Sequence, residues 1–120
     1  MNCHAQGKTN YHNGLAAEDC VERVYCERDA ALLARRWRGT AGEIDLVFRQ
    51  RGTLIFVEVK LAATCASAAT RLSARQLDRV MQTAEEFALT QGSHRDLDLR
   101  IDLAAVNKHG RVEIHENISV

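Results

Sequence analysis

The sequence predicts an α/β domain: one mixed five-stranded sheet flanked by helices, in the order α-β-β-β-α-β-β. Apolar residues recur at helical spacing in two segments, near residues 13–27 and 74–88, and alternate as in strands in five others. One layered sheet with helices packed on it is the simplest arrangement of that order. A chain of 120 residues with 46% apolar composition is enough for one domain with one core. The polar start, residues 1–12, is expected to be a flexible tail, which leaves 13–120 as the single domain.

Each element has its own signal. From Asn13 or Gly14 to about Glu27, Ala17, Val21, Val24 and Tyr25 fall on one helical face, and Glu18 shares or borders it. "ALLARRWR" (Ala31–Arg38) is a first strand, and "GTAG" turns the chain. Glu43–Gln50 and Thr53–Lys60 form two further strands about a turn at Arg51-Gly52. "LAATCASAAT" has no clear period and reads as a loop. The second helix opens on a capping box at Ser73-Ala74-Arg75-Gln76, with Leu72 placed to staple onto Leu77. Leu77, Val80, Met81, Ala84, Phe87 and Ala88 continue it as one apolar stripe. Beyond Gln91-Gly92-Ser93, Leu97–Val106 and Arg111–Ile118 alternate as strands around a turn at Lys108-His109-Gly110.

The formal net charge is zero, so bulk electrostatics select no partner. The distribution is uneven, however. Between Ala30 and Val80 the basic Arg35, Arg36, Arg38, Arg49, Arg51, Lys60, Arg71, Arg75 and Arg79 outnumber Glu43, Asp45, Glu58 and Asp78. A basic segment around an acidic group suits a polyanion held close to a metal, although exposed arginines also serve simply to solvate a surface. No apolar run is long enough for a membrane helix, and "MNCHAQGKTNYHNG" lacks the apolar stretch of a secretion signal. The expected setting is therefore cytoplasmic, without a membrane partner. Cys3, Cys20, Cys26 and Cys65 show no CxxC spacing and are read as reduced thiols. A zinc site from Cys3, His4 and His12 would require that polar tail to be ordered.

The stretch "GEIDLVFRQRGTLIFVEVK" raises a physical question, because strands rich in Ile, Leu, Val and Phe carry Glu43, Asp45, Glu58 and Lys60. Alternation sets Glu43, Asp45 and Val47 on one face of their strand, with Ile44, Leu46 and Phe48 opposite. On the next strand Leu54, Phe56, Glu58 and Lys60 share a face, with Ile55, Val57 and Val59 behind them. A hairpin turning on Arg51-Gly52 pairs residues whose numbers sum to 103, which sets Asp45 across from Glu58 and Glu43 across from Lys60. Directly opposed residues on one face have Cβ atoms roughly 4.5–5.5 Å apart. Two carboxylates at that distance raise each other's pKa unless a cation lies between them. A hard divalent ion, Mg²⁺ or Mn²⁺, suits such a site of carboxylates, a backbone carbonyl and waters, with Glu43 as a further candidate ligand. Lys60, about 7 Å beyond Glu58 on the same face, would contact a metal-bound water or a phosphate oxygen. This is the equipment of metal-assisted phosphodiester hydrolysis. The same residues also allow an ordinary Glu43–Lys60 ion pair on a solvated sheet face.

Asp45, a hairpin and then Glu58-Val59-Lys60 resembles the D…(D/E)xK signature of the PD-(D/E)xK nuclease superfamily. More closely, "GEIDLV" followed by "FVEVK" is similar to the YraN-type family of small bacterial endonuclease-like proteins, distant relatives of archaeal Holliday-junction resolvases. The likeness runs from about Asn13 to the C-terminus, including Gly14 and Glu18 in the first helix and Arg100-Ile101-Asp102 in a later strand. It implies a restriction-endonuclease-like fold and a Mg²⁺- or Mn²⁺-dependent endonuclease acting on DNA, branched or repair intermediates included. It also implies Asp45 and Glu58 as metal ligands helped by the Val59 carbonyl, with Lys60 as the catalytic lysine. Glu18 would approach from the first helix as an accessory ligand or a holder of metal-bound water; the alternative is a helix-edge carboxylate paired with an arginine.

The chain also departs from the pattern. Ile44 precedes Asp45 where the superfamily name has proline, and Gln76 stands where many members carry lysine. Lys60-Leu61-Ala62 replaces a frequent KxR, which leaves one phosphate contact unassigned. Arg71, Arg75 and Arg79, at four-residue spacing, and Arg38 are candidate contacts to a nucleic-acid backbone, against the plainer reading of a solvated helix face. Gln76 either joins that surface or serves its own helix cap. Trp37 either stacks on a base or fills the core. Arg100 and Asp102 are expected to be structural. Two further readings are a catalytically weak nucleic-acid-binding module on the same fold, and a structural or partner-binding protein whose acids bridge to arginines. A homodimer would let so small a domain cut both strands.

Overall fold

The computed structural model describes residues 10–91 and 96–119. Along the chain run α1 (Asn10–Glu27), β1 (Ala31–Arg38), β2 (Glu43–Gln50), β3 (Thr53–Leu61), α2 (Cys65–Ala69), α3 (Ala74–Leu89), β4 (Asp98–Val106) and β5 (Val112–His115). The five strands form one sheet in the order β1-β2-β3-β4-β5. β3 and β4 are parallel and every other neighbouring pair is antiparallel. A parallel pair needs a long crossover, and here it carries α2 and α3.

The expected order of elements is present, with four local differences. α1 begins at Asn10, ahead of Asn13, because helical hydrogen bonding extends into polar residues that show no apolar period. The supposed loop after β3 contains α2. Thr64 and Ser67 close a reciprocal capping box around a single turn too short to show a period. On α3, Met81 is 39% exposed and Thr83 takes the buried place, its hydroxyl donating to the Arg79 carbonyl at 2.7 Å. β5 stops at His115 because Asn117 adopts a left-handed φ of 58° and turns the chain, so that the Ile118 N–H donates to the Ile101 carbonyl at 2.7 Å. Cys3, His4 and the Gly92-Ser93 turn lie outside the described residues, as does the side chain of His12. The described cysteines, Cys20, Cys26 and Cys65, are free thiols.

Helices cover both faces of the sheet. On one, Ala17, Cys20, Val21 and Tyr25 of α1 pack on Leu46, Phe48, Ile55, Val57, Ala104 and Val106. Tyr25 stacks on Phe48 with ring centroids 4.5 Å apart. On the other, Val80, Ala84, Phe87 and Ala88 of α3 pack on Ile44, Val47, Leu54, Phe56 and Ile101. Phe87 meets Trp37 and Phe56 edge-on, so that Trp37 packs, half-buried, against this core. α2 buries Cys65 and Ala68 on the same face, against Leu103 and Ala105. Arg100 and Asp102 are structural, as expected. Asp102 is wholly buried, takes two 2.9 Å bonds from Arg100, and accepts from the Tyr25 hydroxyl at 2.6 Å and the Asn117 N–H at 3.0 Å.

Two irregularities of the sheet set up the site. The β2–β3 ladder has the expected register, from Gln50↔Thr53 to Leu46↔Val57, and ends there. Beyond it β2 does not keep strict alternation: Leu46 packs under α1, while Ile44 joins the core under α3. On β1 the pairing with β2 slips between Leu32 and Ala34, and Arg36 takes a left-handed φ of 49°. That backbone turn lets two consecutive side chains reach the same helix, whereas strand neighbours ordinarily point to opposite faces. Arg35 pairs with Asp19 and Glu22, and Arg36 pairs with Glu18.

Candidate functional site

The site lies where β2 leaves β3. In a continued ladder the Val59 N–H would find a β2 carbonyl; instead it donates to Asp45 Oδ2 at 2.8 Å. The carboxylate therefore satisfies the backbone donor that the split uncovers. An extended residue directs its N–H and C=O to the same edge, so the Val59 carbonyl also points into the split.

Asp45 and Glu58 follow the last ladder pair, Leu46↔Val57, and their carboxyl groups lie close enough for each to act on the other. Burial raises Glu58 first and the neighbouring Asp45 charge second, against a smaller opposing pull from Lys60, so that its pKa reaches about 8. Asp45 is raised as well, chiefly by burial, with the Val59 N–H pulling the other way. At neutral pH the pair holds a shared proton. Lys60 Nζ lies 3.9 Å from Glu58 Oε2, a contact that becomes an ion pair only when Glu58 ionises.

Two more carboxylates act on this pair from a distance. Glu18, on α1, has a side chain only 8% exposed and is gripped at both oxygens by Arg36, Nε to Oε1 at 3.2 Å and Nη2 to Oε2 at 3.1 Å. Burial raises its pKa, Arg36 opposes that, and the Asp45 charge adds to it. The arginine-paired reading of Glu18 is thus the observed arrangement. Glu43 contacts Arg38 at 3.5 Å, not Lys60, because the ladder that would oppose Glu43 and Lys60 has already ended. Among the described residues, no three His, Cys, Asp or Glu side chains converge closely enough to hold a metal ion. The donors that do converge are the two carboxyl groups of Asp45 and Glu58, with the Val59 carbonyl beside them.

The candidate phosphate contacts divide. Gln76 is engaged in its cap: its Oε1 accepts from the Ser73 N–H at 2.9 Å, and its own N–H donates to Ser73 Oγ at 3.1 Å. Arg71 donates to the Leu61 carbonyl. Arg75 and Arg79 are exposed on α3. Arg79 lies close to Gly42, in the turn that carries Arg38 and Glu43. The residue that sequence reasoning missed is Arg36. Its only sequence signal is an arginine directly before Trp37, and a left-handed φ favours Gly, Asn or Asp.

Similarity to known proteins supports the same segment. Residues 17–106 match a family described as "Uncharacterised protein family UPF0102". The chain belongs to that family. A UPF0102 protein of Cereibacter sphaeroides strain KD131 is 45% identical over 111 residues, covering 92% of this chain and 95% of the relative. One from Dinoroseobacter shibae is 42% identical over 116 residues, covering 97% and 87%. A third, from Ruegeria pomeroyi, is 42% identical over 113 residues, covering 94% and 92%. The UPF0102 match spans Glu18, Arg36, Asp45, Glu58 and Lys60 together. Among the described residues, no helix is long and apolar enough to cross a membrane.

Proposed function

We propose that this UPF0102 protein is a Mg²⁺- or Mn²⁺-dependent nuclease that hydrolyses phosphodiester bonds in DNA, in keeping with its resemblance to the PD-(D/E)xK nucleases. The observation that carries this reading is the meeting of two half-buried acids, Asp45 and Glu58, at a split of the sheet, with Asp45 on the Val59 N–H and Lys60 3.9 Å from Glu58. Burying two acids against each other stabilises nothing by itself; a divalent cation replacing the proton relieves both burial and repulsion. The donors fit such an ion: all are oxygens, from Asp45, Glu58 and the Val59 carbonyl, and the remaining positions suit waters and phosphate. When bound, the ion would supply charge neutralisation at the phosphate and an acidified water. Lys60 would donate a hydrogen bond to a phosphate oxygen or orient the attacking water. Arg38, Arg75 and Arg79, exposed beside the β1–β2 turn and along α3, would hold the flanking backbone.

The test is cleavage of linear and branched DNA in Mg²⁺ and Mn²⁺ by the parent, Asp45→Ala and Lys60→Ala proteins. Metal-dependent cutting by the parent and a loss of at least about 100-fold in both variants is expected, the scale of one essential group in a hydrolytic centre. Equal cutting by all three would identify a contaminant and end the assignment. A second reading has its own observation. Glu18, Glu43 and Glu58 each have an arginine or lysine within 4 Å, as in a structural cluster with a role in partner binding. A protein that neither cuts nor takes up Mn²⁺ would favour it.

A further inference from the structure

The contact between Arg36 and Glu18 is asymmetric. The carboxylate is nearly buried, with 8% of its side chain exposed, whereas the guanidinium is 46% exposed. Nε and Nη2 occupy both Glu18 oxygens, and Nη1 carries no bond among the described residues. Arg36 falls between the pairs Arg35↔Leu46 and Trp37↔Ile44, abreast of Asp45. Its left-handed φ of 49° is a conformation in which arginine is strained, sustained only where surrounding contacts hold it. Arg35 is already committed to Asp19 and Glu22, Arg38 to Glu43, and Lys60 lies on Glu58. The cation held against Glu18 is thus Arg36. Glu18 meanwhile stands within electrostatic reach of Asp45, yet among the described residues no third carboxylate joins the Asp45–Glu58 pair closely enough to share an ion.

We propose that Arg36 is a positioning residue whose guanidinium holds Glu18 back from the Asp45–Glu58 pair and so limits how tightly that pair takes a divalent cation. The inference rests on the proposed function, because it presumes that the pair binds such an ion. A guanidinium and a metal ion compete for the same two oxygens, and the bidentate grip places that competition on Glu18 rather than on the pair itself. Freed of Arg36, Glu18 can turn toward the ion as a third carboxylate, directly or through a bound water. A purely structural ion pair has the opposite consequence. Breaking it would loosen the contact between α1 and β1 and weaken whatever the split binds.

The sign of one measurement decides between these. Mn²⁺ is titrated calorimetrically into the parent, Arg36→Gln, Glu18→Gln and the double variant. Arg36→Gln is expected to bind about threefold more tightly than the parent, the scale of one partly exposed ion pair removed. Glu18→Gln should abolish that gain, so that the double variant binds like Glu18→Gln alone. Arg36→Lys keeps the charge but loses the fork; it is expected to show a smaller gain, and it replaces Arg36→Gln if the latter does not fold. Equal or weaker binding in Arg36→Gln overturns the inference. So does a gain that survives in the double variant, which would be the field of a lost charge and not release of Glu18. A parent that binds no Mn²⁺ overturns the proposed function and this inference with it, an outcome separate from the other two.

Discussion

Glu58 has a direct consequence for stability. With its carboxyl raised from 4.5 to about 8 in the folded chain, it keeps its proton across a range in which the unfolded chain has lost it. The folded state then binds more protons than the unfolded one, so stability falls as pH rises through that window and changes little from this source outside it. The metal-free protein is expected to resist urea best near pH 5 and to lose stability steadily toward pH 8. Glu58→Gln, which cannot ionise, should flatten that slope; an unchanged slope would contradict the shared proton. The pairing of these two acids was legible in the sequence, because the alternation and the tight turn fix the register of a hairpin with few alternatives. The grip of Arg36 on Glu18 was not. It depends on a left-handed backbone at an arginine and on a helix that arrives from elsewhere in the chain, and neither leaves a local trace.

The elements differ in how openly their sequences declare them. α3 was plain because its capping box and apolar stripe agree, and the Ser73–Gln76 bonds form as the pattern requires. Ser73→Ala is expected to cost about 1 kcal/mol in chemical denaturation, the usual value of a lost N-cap. α2 was hidden because one capped turn of Cys-Ala-Ser-Ala-Ala shows no periodicity, and the burial of Cys65 and Ala68 depends on where β4 lies. Met81 was misplaced for a related reason. The stripe is broad enough that hydrophobicity alone prefers a methionine, while Thr83 faces inward and satisfies its hydroxyl on the preceding turn. The exposed arginines of α3 bear on binding. If they follow a nucleic-acid backbone, Arg75→Gln with Arg79→Gln should weaken DNA binding alike for all sequences. The salt dependence should become shallower by roughly one unit of slope per arginine removed. A salt slope equal to the parent's would return both residues to the role of a solvated helix face.

Across the whole molecule, the sheet is tied together on one side and opened on the other. Asp102 joins β4 to α1 through Tyr25 and to the turn after β5 through the Asn117 N–H, with Arg100 balancing its charge. Asp102→Ala would leave the buried Tyr25 hydroxyl without its acceptor and Arg100 with Glu116 alone; a loss of about 3 kcal/mol in unfolding free energy is expected, the lower end for breaking a buried ion pair from one side. The opposite behaviour appears where β2 parts from β3: there the fold gives up ladder hydrogen bonds and gathers carboxylates from α1, β2 and β3. A fold that holds a proton between two of those acids should exchange it for a cation. Calorimetric titration of Mn²⁺ at neutral pH, repeated in buffers of different ionisation enthalpy, measures both the ion bound and the protons released. The account predicts one ion bound with release of about one proton, and no such heat in Asp45→Ala. Binding without proton release, or binding that survives in Asp45→Ala, would contradict it.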